Sequence, residues 1–365
     1  MRIVIKIGTS TLTTGTSHIS APVVIDLARQ VQFLRQAGHQ IILVSSGAMA
    51  AGREKLGFPR LPKEIPAKQM LSAIGQPRLM ALYQELFGFY DLTVAQVLLT
   101  RADLASRSSY LNARNTLLAL LDQAIVPVVN ENDTIATEEI RVGDNDNLSA
   151  LVANLVDADW LILLTDQAGL FTADPRTSSD SELVTEISGA GIPEKLWKAA
   201  GGNGSSMGTG GMVTKLQAAD MARRCGTTCL IASGSEADIL IRLVNGEKLG
   251  TRFLPVASSV ESRKRYILSA RRAPGQVNVD HGAAKALRKG GSLLPVGVVT
   301  VSGSFERGDT VRVLDPAQKE IARGIANYSS HDLQQLARRR SDEIESILGY
   351  DFGDEIIHHN NLVVL

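Results

Sequence analysis

Apolar residues in the first two thirds of the chain fall in short, nearly unbroken runs. RIVIKI (2–7), QIILVSS (40–46), LTVAQVLL (92–99), IVPVVN (125–130), WLILLT (160–165) and TCLIAS (228–233) carry few polar positions and little two-residue alternation. Such runs read as strands covered on both faces, hence as a parallel sheet between helical layers. Between them lie stretches with a helical pattern: PVVIDLARQVQFLRQAG, residues 66–88, YLNARNTLLALLDQ, NLSALVANLVD and VTKLQAADMARRC. Strand and helix in alternation predict an α/β fold, an open αβα sandwich with a mainly parallel sheet.

The texture changes near residue 255, where LPVASSVESRKR reads as a linker. Short alternating runs follow, QVNVD, GVVTVSG, DTVRVLD and IARGIANY, with Gly and Asp between them. They describe a small β-rich domain, closed by two short helical pieces, HDLQQLAR and SDEIESILG. The expected division is an α/β domain over 1–257, a linker over 258–272, a β-rich domain over 273–350 and a tail over 351–365.

Bulk properties narrow the function classes. At 365 residues the chain exceeds what one core usually holds, in keeping with two domains. Its formal net charge of zero creates no global field toward nucleic acid or membrane. MRIVIKIGTS enters a strand-like run at once, so no signal peptide is expected. The longest apolar runs are too short to cross a bilayer. Cys225 and Cys229 are too few for a disulfide framework or a four-cysteine zinc site. They read as reduced core residues, which places the chain in the cytoplasm. One local feature departs from neutrality. Residues 262–290 hold eight Lys or Arg against Asp280 alone, and Arg338–Arg340 add three. That stripe suits either RNA or a solvated face.

Ligands in open α/β sheets sit at the carboxyl ends of the strands. Small and polar residues gather there: Lys6-Ile7-Gly8-Thr9-Ser10, Ser45-Ser46-Gly47-Ala48, Asn130-Glu131-Asn132-Asp133 and Thr165-Asp166. The stretch SSMGTGGMVTK (205–215) lacks the Gly-Lys-Ser/Thr of a Walker A loop. Gly208, Gly210 and Gly211 can nonetheless bring backbone N–H groups to an anion, at the positive end of the following helix. Lys215 falls in that helix's first turn, where a cation is unfavourable unless an anion faces it. Lys6 ends an otherwise apolar strand, a costly place for a charge without a partner or ligand. Two such lysines suit phosphoryl transfer, in which the protein mainly positions and neutralises charge.

A third cluster, Arg141-Val142-Gly143-Asp144-Asn145-Asp146-Asn147, precedes a helix. Its acids and amides could bind a metal or an ammonium group, or cap the helix. Asp133 and Glu131 add acidity nearby. No His/Cys set has zinc spacing, so no metal-ligating residue is assigned.

KIGTS, SSGAMAAGRE, KQMLSAIGQ, LLTRADL, LNARNT, PVVNENDT, VGDNDNLSA, LLTDQAGLFTADPR and GTGGMVTKLQAAD occur in this order over roughly residues 1 to 255. Together they resemble the amino acid kinase family. VDHGAAKAL and GSLLPVGVVTVSGSFERGDTVRV are similar to a PUA domain, a small RNA-associated fold.

The resemblance implies ATP and Mg²⁺ as cofactors and the γ-carboxylate of free L-glutamate as acceptor. It implies that Lys6 and Lys215 stabilise the transferred phosphoryl group. Gly8, Thr165, Asp166 and Thr209, Gly210, Gly211, Met212, Val213, Thr214 and Lys215 would hold the nucleotide. Ser46, Gly47, Asp133 and Asn145 would hold the acceptor, with Asn130 nearby. Asp144 or Asp146 would orient the lysines or the substrate amine, Asp146 being taken as catalytic and Asp144 as substrate-binding. Feedback inhibition by proline, a reductase that takes the labile acyl phosphate and a homo-dimer or tetramer are implied as well. The acidity of Asp133, Asp144 and Asp146 suits a free ammonium group better than an N-acetyl group. The alternatives are a sibling kinase for N-acetylglutamate or aspartate, and an RNA-binding protein with a scaffold kinase domain.

Overall fold

The computed structural model describes residues 1–60, 64–136, 145–175, 177, 178, 180–189, 191–201, 211–256 and 273–365. Contacts divide the chain into two compact units. The first comprises Met1–Leu104 and Ala113–Ser259, the second Ala105–Asn112 and Val260–Leu365.

The first unit is built on an eight-stranded sheet. Its strands are β1 (Arg2–Ile7), β2 (Gln40–Ser45), β3 (Val94–Leu99), β4 (Val126–Glu131), β5 (Trp160–Thr165), β6 (Glu186–Ile187), β7 (Thr228–Ser233) and β8 (Thr251–Phe253). They lie in the order β3-β4-β2-β1-β5-β7-β8-β6. Neighbours are parallel except β7 and β8. The six long strands match the apolar runs to within two residues. β6 and β8 escape a pattern reading because they are two and three residues long.

The helices used below are α1 (Thr9–Thr13), α2 (Ala21–Gln36), α3 (Ala48–Lys55), α4 (Ile65–Gly88), α5 (Arg101–Ala105), α6 (Arg107–Asp122), α7 (Asn145–Leu155), α8 (Glu194–Ala199), α9 (Met212–Arg224) and α10 (Ile239–Val244). Central strand β1 is buried on both sides, and successive residues face opposite layers. Ile3, Ile5 and Ile7 join a core with Val24, Leu27 and Val31 of α2, Leu79 and Tyr83 of α4, and Leu240 and Leu243 of α10. Lys6, of opposite parity, reaches α7 instead. That alternation decides where the chemistry sits. β1 also lies where the chain order reverses, between β2 and β5, the switch point at which such sheets bind ligands.

The second unit holds a five-stranded sheet. Its strands are β9 (Gly275–Val279), β10 (Val298–Gly303), β11 (Thr310–Leu314), β12 (Glu320–Ile325) and β13 (Leu362–Val364), ordered β10-β9-β11-β12-β13. Val277, Val311, Val313, Tyr328, Leu333 and Ile357 fill its core. Residues 351–365, read from the sequence as a tail, belong to this fold. β13 pairs antiparallel with β12, and Ile356 and Ile357 are fully buried. Leu362-Val363-Val364 is too short to announce a strand without its partner.

Candidate active site

Strand parity and two helix N-termini bring three charged side chains together. Asp146, in the first turn of α7, is fully buried, and its carboxylate meets both predicted lysines. Lys6 Nζ lies 2.6 Å from Asp146 Oδ1, and Lys215 Nζ 3.1 Å from Oδ2. The Thr214 hydroxyl donates to the same Oδ2 at 3.0 Å. Both lysines are nearly as buried as the carboxylate. The α7 N-terminal dipole adds to the stabilisation of the Asp146 charge. Both ammonium groups thus share the one carboxylate, at the carboxyl ends of the central strands. Gly8, just after β1, lies close by: a Cβ built there would sit 3.4 Å from Lys6 Nζ.

Gly211 opens α9 with no side-chain cap, and among the described residues nothing lies within 4 Å of where its Cβ would be. Met212 and Val213 follow in the first turn, whose N–H groups suit an anion. Thr165 ends β5 in register with Ser233 of β7, and its hydroxyl donates to Asp166 at 3.1 Å. Asp166 is exposed.

The opposite flank carries amides. Asn145 Nδ2 donates to Ser46 Oγ at 3.0 Å, the Ser45 carbonyl at 3.1 Å and Asn130 Oδ1 at 3.0 Å. Gly47 turns the chain into α3 at φ +105°, a conformation glycine adopts without strain. Asp133 lies half-buried just beyond β4. Burial pushes its carboxyl above the usual range, opposed by the Ser72 hydroxyl.

The structure therefore joins Lys6, Lys215, Asp146 and Thr214 on one side and Ser46, Asn130 and Asn145 on the other. Asp144, Thr209, Gly210 and the linker 258–272 lie outside the described residues. Three residues escape the sequence reading, Gln76, Gln96 and Tyr83, and Ser45, placed at the strand edge by the sequence, was given no role. Gln76 accepts from Asn130 Nδ2 at 2.7 Å and donates to Gln96 at 3.3 Å. Ser45 Oγ and Tyr83 Oη are 2.8 Å apart, and burial pushes the Tyr83 phenol up to about 12. The available signal was a polar residue on the buried stripe of α4, where Leu71, Gly75, Gln76, Leu79 and Tyr83 share one face.

Other predicted features resolve plainly. Cys225 and Cys229 are free, and burial together with the Asp146 charge raises the Cys229 thiol. In the basic stripe, Arg288, Arg338 and Arg340 each pair with an acid, Asp315, Asp280 and Asp342. Arg263, Lys264, Arg265, Arg271 and Arg272 of the stripe lie outside the described residues. Among the described residues, no helix is long and apolar enough to cross a membrane.

A parallel sheet whose central strand carries a lysine onto a buried carboxylate shared with a second lysine defines a class, and sequence comparison agrees with it. Residues 1–233 match the model of the amino acid kinase family, and residues 275–348 that of the PUA domain. The chain belongs to the amino acid kinase family, a family of phosphotransferases, and carries a C-terminal PUA domain. It is 52% identical over 364 residues to glutamate 5-kinase of Herpetosiphon aurantiacus, covering 100% of this chain and 98% of that protein. It is 53% identical over 364 residues to glutamate 5-kinase of Photobacterium profundum, covering 100% and 96%.

Proposed function

We propose that the chain transfers the γ-phosphoryl group of ATP to the γ-carboxylate of L-glutamate, the first step of proline biosynthesis. The buried Lys6–Asp146–Lys215 cluster carries the reaction type, and whole-chain identity to glutamate 5-kinases carries the acceptor. The acceptor carboxylate is already ionised near neutral pH, so the step needs no general base. Attack is direct and in line. The site's work is positioning and neutralisation of the charge on the transferred group.

Lys6 and Lys215 act on that charge, and Asp146 holds both ammonium groups in place between turnovers. The N–H groups at the start of α9 take the nucleotide phosphates, together with the Thr209–Gly211 stretch that precedes it. Thr165 and Asp166 flank the nucleotide, and Gly8 leaves room beside Lys6. Ser46, Gly47, Asn130 and Asn145 hold the acceptor, and Asp133 and Asp144 supply carboxylates for its ammonium group. Mg²⁺ would offset the charge of the nucleotide phosphates and would be held mainly by those phosphates and water, not by protein side chains. Such an ion needs no protein cage. Among the described residues, no group of three or more His, Cys, Asp or Glu forms one.

An acyl-phosphate trap tests this reading. With Mg-ATP and hydroxylamine, hydroxamate should form from glutamate and not from N-acetylglutamate or aspartate. Lys215→Ala should lower kcat by about 10²–10³, the size expected for one lost preorganised donor. Product from another acid would change the acceptor. Full kcat in Lys215→Ala would remove the cluster's role.

Proline, as an inhibitor in the acceptor site, should raise the apparent KM for glutamate but not for ATP. The labile acyl phosphate suits direct transfer to a reductase; a purified pair that gives the intermediate no protection from hydrolysis would argue against it. A dimer or tetramer in the cytoplasm completes the proposal, and light scattering decides the assembly.

A further inference from the structure

A chain of side-chain amides runs from the acceptor site into α4. Asn130 Oδ1 accepts the Glu131 backbone N–H at 2.9 Å and Asn145 Nδ2 at 3.0 Å. Asn130 Nδ2 donates to Gln76 Oε1 at 2.7 Å, and Gln76 Nε2 donates to Gln96 Oε1 at 3.3 Å. Asn130 and Gln76 are buried, whereas Gln96 reaches solvent on β3.

One atom sets the direction of this chain. A backbone N–H can only donate, so Asn130 must turn its oxygen to Glu131 and its nitrogen to Gln76. Gln76 must then offer its oxygen to Asn130. At the other end, Asn145 commits its Nδ2 to Ser45, Ser46 and Asn130. Its Oδ1 is buried and meets no donor among the described residues. A buried carbonyl oxygen left in that state calls for a donor. The ammonium group of an amino acid is one, and an anionic phosphate is not.

We infer that Gln76 is a positioning residue for the acceptor: through Asn130 it keeps the Asn145 oxygen turned toward the substrate ammonium. Gln76 itself touches no substrate. The inference rests on the glutamate kinase reading and adds to it the element that enforces recognition of the amine. The helix that carries Gln76 is well anchored for the task. One residue earlier, Gly75 lets α4 approach α3, and Tyr83, two turns on, meets Ser45.

Three variants and a deaminated substrate test the inference. Gln76→Leu leaves the buried Asn130 Nδ2 without its acceptor, so that only the bonds to Asn130 Oδ1 hold the side chain in place. It should raise the KM for glutamate about tenfold, the loss expected for one hydrogen bond to a charged group, with KM for ATP unchanged. Glutarate lacks the ammonium group, so its poor kcat/KM should change little. The preference for glutamate over glutarate should therefore fall by about the same factor. Gln76→Glu keeps an acceptor for Asn130, and exposed Gln96 can turn its amide to suit. This variant should stay within about threefold of the wild type. Gln96→Ala should do the same, because Glu131 sets the direction without it. A Gln76→Leu protein with unchanged glutamate preference overturns the inference. So does one in which both KM values rise together as the melting temperature falls. If wild-type protein makes no hydroxamate from glutamate, the function itself fails, and the inference with it.

Discussion

At the residue scale, Asp146 is the carboxylate that two buried lysines share. Burying a lone carboxylate or ammonium is prohibitively costly, whereas a hydrogen-bonded set of three charges is tolerated. Asp133 differs: it sits nearer solvent, and in the proposed function its carboxylate faces the substrate ammonium. Burial raises its folded-state pKa above the unfolded value. Protonation therefore favours folding, and that stability is lost as pH rises from the ordinary aspartate range through the raised value. Binding of an ammonium group has the opposite sign, complete above the raised value and lost as pH falls through it. The pH profile of kcat/KM for glutamate should thus show an acidic limb above the range of an ordinary aspartate. Asp133→Asn should lower kcat/KM and leave only the limb of the substrate's own carboxyl, near ~4.3. Identical limbs in the two proteins would remove Asp133 from the ammonium site. Lys6 and Lys215 were legible in the sequence because a cation at a buried strand end or a helix start demands a reason. That Asp146 takes both stood open in the sequence, with Asp144 as the alternative, since it depends on strand parity and on residues far apart in sequence. Gln76 was invisible because a neutral amide on a helix raises no alarm until its burial is known.

At the element scale, the acceptor loop depends on how closely two helices approach. A Cβ at Gly75 would lie 1.8 Å from the Ala48 carbonyl oxygen, and one at Gly52 would lie 2.0 Å from that of Leu71. α3 begins immediately after Ser46 and Gly47, so the α3–α4 contact sets the position of the Ser46 hydroxyl. Backbone atoms cannot swing aside as side chains do, and the helices must separate to admit a methyl group. Gly75→Ala should cost at least ~2 kcal/mol, toward the upper end of overpacking penalties, and raise the KM for glutamate. Gly88→Ala, at the end of α4 with nothing within 4 Å among the described residues, is the matched control. It should be neutral or stabilising by up to ~1 kcal/mol. Denaturant midpoints decide between them, and equal midpoints would show that α3 and α4 are not in close backbone contact. Helix α4 itself was readable from its pattern. Its close approach to α3 was not, because SAIGQ does not say which helix its glycine will meet.

At the scale of the whole molecule, the sequence marks two domains by texture, but contacts distribute the chain differently. Residues 105–112, expected in the α/β domain, belong with the second unit. Leu111 is buried with Ile325 of β12 and Val363 of β13, and Arg107 pairs with Asp309 at 2.6 Å. Arg307 donates to Asn112, and Gly308, at φ +95°, leaves room for Arg107. Pattern reading assigns a segment to its sequence neighbours, and only the partner surface, some two hundred residues later, reveals another allegiance. β13 escaped for the same reason. Leu111 therefore stabilises β12 and β13 even though it lies on α6. Leu111→Ala should remove ~2–5 kcal/mol from the local stability of those strands, the usual cost of emptying a buried leucine site. Backbone amides of β12 and β13 should then exchange hydrogen faster, while those of β1 and β5, in the other unit, should not change. Faster exchange confined to β1 and β5 would return residues 105–112 to the first unit. The expected pattern shows the second unit closing on a piece of chain that precedes the rest of it by nearly one hundred and fifty residues.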